Sequence, residues 1–105
     1  MKTTLGINEA LILAALSSRG ECSVAQVAER VGKNRDVDDG SLYVALQRMA
    51  ERGFVGRRKV RVRSADGRER EVGAYKITAE GTDALDRWER EAHAVTRLRT
   101  AGQPA

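Results

Sequence analysis

Two groups of residues in this sequence have side chains suited to reading and holding a polyanion. Gln47 and Arg48 carry paired hydrogen-bonding groups of the kind that address adenine and guanine edges, respectively. Ser41 and Tyr43, a turn earlier, are hydroxyl donors for phosphate, and Val44 lies on the same side of the segment. Glu51 would be repelled by phosphate unless it accepts a hydrogen bond from cytosine. The second group is basic. Between Arg57 and Arg70 there are seven basic residues (Arg57, Arg58, Lys59, Arg61, Arg63, Arg68, Arg70) against two acids (Asp66, Glu69). That local charge accounts for the whole chain's net +4. Such a run suits the phosphate backbone or an adjacent minor groove. The same charges would also guard an exposed strand against edge-to-edge pairing.

Other chemistries find no residues. There is no nucleophile–base pair, no metal-ligand spacing and no glycine loop to cradle a phosphate, so no catalytic residue, metal or cofactor is expected. Cys22 is the single cysteine, which rules out a disulfide within the chain and fits a reducing cytoplasm. It has no close basic neighbour to activate it as a redox sensor. His93 reads as a rim residue.

The elements that must position these groups follow from periodicity and punctuation. Asn8 is the expected cap of a first helix reaching about Ser18 and ended by Gly20. Its centre, Ala10 to Leu16, is apolar on every face, so the helix should be enclosed on all sides. The apolar stretch is too short to span a membrane, and it is followed by a poor signal-peptide cleavage site. Ser23 caps a second helix, Val24 to Val31, with Val24, Val27, Ala28 and Val31 on one face. Lys33 to Gly40 is polar and reads as a turn. A third helix, Ser41 to Arg52, has Asp38, Asp39 or Ser41 as its cap and Gly53 just past its end. Its apolar stripe is Leu42, Ala45, Leu46 and Met49, which leaves Val44, Gln47, Arg48 and Glu51 outward.

The period then changes to two. Val60 and Val62 alternate with Lys59, Arg61 and Arg63; Asp66-Gly67 signals a hairpin turn; a return strand runs from Glu69 to Ile77. Thr78 caps a last helix reaching about Arg99, roughly 30 Å long. It carries Leu85, Trp88, Ala92 and Val95 at spacings of three and four. That spacing, near 3.5, suits helix-on-helix packing between two copies.

Two short helices joined by a turn and followed by a hairpin form a winged helix-turn-helix. The expected fold is therefore α+β, mostly α. A DNA-binding unit spans residues 5–77, a C-terminal dimerisation helix 78–100, and a frayed tail 101–105. With 105 residues the chain forms one domain with a modest core, which makes pairing with a second copy attractive. Leu11, Leu85, Trp88, Ala92 and Val95 are the expected dimer contacts. Arg58, Arg61, Arg63 and Arg68 join Ser41, Tyr43, Val44, Gln47 and Arg48 as the expected DNA contacts.

The run Gly40-Ser41-Leu42-Tyr43-Val44-Ala45-Leu46, then Arg48-Met49, then Arg52-Gly53-Phe54-Val55, resembles the "GSLYPAL-RLE-GLV" run of PadR-type transcriptional regulators. Tyr75-Lys76-Ile77-Thr78-Ala79-Glu80-Gly81 is similar to that family's junction between wing and last helix, and the resemblance covers about residues 5 to 90. Val44 stands where the family often has proline, and the second helix lacks its usual His-Gly-Tyr-Glu start. The resemblance implies a cytoplasmic regulator, usually a repressor, that dimerises through its last helix with help from the first. A homodimer of this kind fits a palindromic operator in double-stranded DNA. Some relatives bind planar aromatic effectors between subunits, so Trp88 either stacks on such a ligand or fills the dimer core. The competing reading is a winged-helix module that binds an acidic protein partner and no DNA.

Overall fold

In a computed structural model, which describes residues 5–32 and 38–102, the chain runs α1 (Ile7–Arg19), β1 (Cys22–Ser23), α2 (Val24–Gly32), α3 (Asp39–Glu51), β2 (Val55–Arg63), β3 (Glu69–Ile77) and α4 (Ala79–Ala101). This is the winged helix-turn-helix order. Part of the turn expected over Lys33 to Gly40 and the last three residues of the tail lie outside the described residues. The sheet has three strands, in the order β1-β3-β2, all antiparallel. The two-stranded wing is thus rooted on a third strand. β1 escapes periodicity because it is two residues long, and only its pairing with Tyr75 and Ala74 defines it.

The helix ends follow local rules, with one correction. α1 is capped by Gly6 rather than Asn8: the Gly6 N–H donates to the Glu9 carboxylate (3.0 Å), half of a capping box. Ser23 and Gln26 form the reciprocal box at α2. Asp38 caps α3 by accepting from the Ser41 N–H (2.8 Å). α3 ends in a Schellman motif, with Phe54 N–H on the Met49 carbonyl, Gly53 N–H on the Ala50 carbonyl, and Gly53 at φ +82. Thr78 caps α4, which continues to Ala101, into the segment expected to be tail.

The core is formed by Ile12, Leu13 and Leu16 of α1, Val27 and Val31 of α2, Leu42, Leu46 and Met49 of α3, and Cys22, Phe54, Val55, Tyr75 and Leu85. It sits between the three helices and one face of the sheet. α1 is not enclosed on all sides: Ile7 and Ala14 are exposed and Leu11 is half-buried, which leaves an apolar stripe along its outer face. α4 belongs to the core only over its first half. Ala84 and Leu85 are buried and Trp88 packs against the cluster, whereas Val95 and Leu98 are 66% and 75% exposed. No helix among the described residues is long and apolar enough to cross a membrane.

Candidate nucleic-acid interface

α3 presents a face made by the residues its apolar stripe leaves out. Leu42, Leu46 and Met49 anchor it, and Ser41, Tyr43, Val44 and Arg48 stand exposed, with Gln47 half-buried beside them. Two of the side chains expected to donate to phosphate differ in how free they are. Tyr43 is open to solvent, but the Ser41 hydroxyl donates to Asp38 (3.1 Å). Asp38 is held below the ordinary aspartate range, first by the Ser41 N–H and then by that hydroxyl. Asp38 and Asp39 together place negative charge where the helix dipole is positive, so the N-terminus of α3 is less inviting to an anion than a bare helix end.

β2 begins four residues after α3 ends and packs against it, so the wing starts at the C-terminal end of α3. Strand alternation sorts the basic residues onto two faces. Arg57, Lys59, Arg61 and Arg63 continue the face that carries Val55 and, across the ladder, Tyr75. Arg57 lies over the Tyr75 ring (6.0 Å to its centroid) and beside Gly73, where a Cβ would come within 3.3 Å of its Nε. Glycine at that position gives the guanidinium room. Glu69 lies 3.7 Å from both Arg61 and Arg63; all three are exposed, so these pairs hold the arginines only weakly.

The opposite face carries Arg58, Val60 and Val62, and here one expected contact is already engaged. Arg58 is not a free cation: its Nε and a terminal nitrogen donate to the two carboxylate oxygens of Glu21 at 2.5 and 2.8 Å. Arg68 closes the wing's tip: Ser64 N–H donates to its carbonyl around the three residues 65–67, with Gly67 at φ +85. The Asp66 carboxylate organises that loop by accepting from the Ser64 hydroxyl and the Arg68 N–H.

The expected dimer residues divide as well. Leu85 is 6% exposed, in the core of its own chain; a helical stripe in sequence does not say which body it packs against. Trp88, Ala92 and Leu11 are half-buried, and Val95 is open. No group of His, Cys, Asp or Glu among the described residues is placed to hold a metal.

A reading helix with an open polar face, a cationic wing rooted at its end and a long projecting helix define a winged helix-turn-helix of the regulator type. The sequence profile of the Transcriptional regulator PadR-like family matches residues 12–87, and the chain belongs to that family. Its fold is similar to that of a PadR family transcription regulator from Clostridium difficile, at 23% identity over 91% of this chain and 97% of that one, TM-score 0.77. It is similar also to Bacillus subtilis PadR solved with operator DNA, at 21% identity over 78% of this chain and 46% of that one, TM-score 0.66. A third likeness is to Bordetella bronchiseptica BpsR, whose DNA binding is regulated by 6-hydroxynicotinic acid, at 18% identity over 99% of this chain and 71% of that one, TM-score 0.70. Among curated proteins none matches the chain significantly in sequence.

Proposed function

We propose that this chain is a sequence-specific regulator, a repressor, that binds double-stranded DNA as a homodimer in the cytoplasm. The observation that carries this reading is the exposed face of α3 together with a row of four cations, Arg57, Lys59, Arg61 and Arg63, on one face of the wing that starts at the end of that helix. α3 enters the major groove, with Gln47 and Arg48 on base edges and Tyr43 and Val44 at the groove wall. Ser41 reaches a phosphate only by leaving Asp38. The wing row, with Arg68 at the tip, lies on the backbone or in the neighbouring minor groove.

The DNA-binding unit is residues 5–77 together with the buried first half of α4, and the rest of α4 is the dimerisation helix. Two subunits meet through the apolar stripe of α1 (Ile7, Leu11, Ala14) and the outer half of α4 (Ala92, Val95, Leu98). Their reading helices then sit about 34 Å apart, one turn of duplex, and address a palindrome. Trp88, at the border between core and stripe, is placed to stack on a planar aromatic effector. The regulation of BpsR by an aromatic acid makes that class of ligand the first to try. Selection from a random duplex pool, followed by titration of the enriched sequence, tests the proposal. A palindromic consensus bound at least about a thousandfold more tightly than random duplex is expected. Equal affinity for both would overturn it.

A further inference from the structure

The Arg58–Glu21 pair spans the sheet. Glu21 precedes β1 on one edge and Arg58 lies in β2 on the other, with β3 between them. Arg58 sits in register with Ala74 and Ser23, whereas Glu21 lies two residues before Ser23, so the two side chains meet on a diagonal across the sheet, near Lys76. Ala74, the small residue between Ser23 and Arg58, is 3% exposed. The Ser23–Ala74–Arg58 rung is the last supported by three strands. Beyond it the wing continues as a two-stranded ribbon for five pairs, Lys59–Gly73 out to Arg63–Glu69. Two-stranded ribbons are marginally stable alone and twist freely, so their direction is set at the root.

We propose that Glu21 and Arg58 are positioning residues that strap the wing's root to the α1–β1 turn and so fix where the cationic row points. The inference rests on the DNA-binding reading above and adds a role that runs against charge intuition: an acid beside a DNA-binding surface strengthens binding. The forked contact through both guanidinium nitrogens gives the pair directionality as well as attraction. Arg58 holds the Glu21 carboxyl below the ordinary glutamate range through these hydrogen bonds, and Glu21 raises the Arg58 guanidinium in turn. The strap also ties the wing to the end of α1, the helix whose outer face is open.

Binding of the selected operator fragment and amide hydrogen exchange test the strap together. Glu21→Gln is expected to weaken operator binding by about three- to fivefold, the upper range for an exposed ion pair. Exchange should quicken at Lys59–Val72 while the α1 core amides at Ile12–Leu16 stay unchanged, which separates loss of the strap from loss of the fold. The charge-swapped double variant Glu21→Arg/Arg58→Glu should restore both readouts, whereas Arg58→Glu alone should restore neither. Tighter binding by Glu21→Gln, a swap no better than Arg58→Glu, or unaltered wing exchange would each overturn the strap. If the unmodified protein binds no duplex, the functional reading fails, and the exchange arm still decides the strap.

Discussion

Gln47 and Arg48 are adjacent on α3, yet the helix holds one half-buried and the other open, so their roles separate by experiment. If both address bases, Arg48→Ala and Gln47→Ala should each cost about 1–3 kcal/mol on the operator and relax preference at particular positions. Binding to random duplex should change little. Lys59→Ala acts differently: it should weaken every duplex alike and lower the slope of log affinity against log salt by about one unit. Competition titrations across a set of single-base variants distinguish the two patterns. The Asp38 cap carries a pH signature. Its folded value is depressed, so the cap contributes stability above the unfolded aspartate value and loses it as pH falls through the folded one. Acidification through that window should move the Ser41 amide resonance. Asp38→Asn, which keeps an oxygen for the Ser41 N–H, should flatten that titration.

At the level of elements, the junction between wing and last helix is where sequence motif and physics meet most closely. The Thr78 hydroxyl donates to the Gly53 carbonyl (2.6 Å) and accepts from the Gly81 N–H (3.0 Å), so one side chain ties the end of α3 to the start of α4. Gly81 is required by proximity: a Cβ there would lie 2.1 Å from the Phe54 carbonyl oxygen, a backbone atom that cannot swing aside. Gly81→Ala should therefore lower stability by about 1–3 kcal/mol, as overpacking does, and thermal unfolding measures it. Thr78 and Ser23 are legible as caps because a cap acts over three residues and leaves its mark locally. The Gly6 cap is not, since its oxygen comes from Glu9, and Asn8 offers a more conventional side chain. The Glu21–Arg58 pair joins residues 37 apart, and β1 exists only through its partner strand; neither leaves a local trace. The basic run and its alternation with Val60 and Val62 are visible in the sequence, but which acids stand across from it, Glu71 from Arg61 and Glu69 from Arg63, needed the register of the hairpin.

For the molecule as a whole, the two open apolar stripes set the expectation for assembly. Val95→Glu or Leu98→Glu should shift sedimentation toward a single subunit. Operator affinity should fall with it, because one reading helix then binds without its neighbour. Neither substitution touches the folded core, since both side chains are already exposed in the subunit. The projecting half of α4 has one more consequence. From Glu89 to Ala101 the helix runs on for 13 residues past its packed half, held by propagation from that half and by few tertiary contacts, so its last turns are free to fray. If copies pair along it as proposed, the end of α4 should fray on dilution and firm up as copies accumulate, measured as helicity against protein concentration. If two copies pair as proposed, such a chain meters its own abundance: its outermost turns settle only after enough of it has been made.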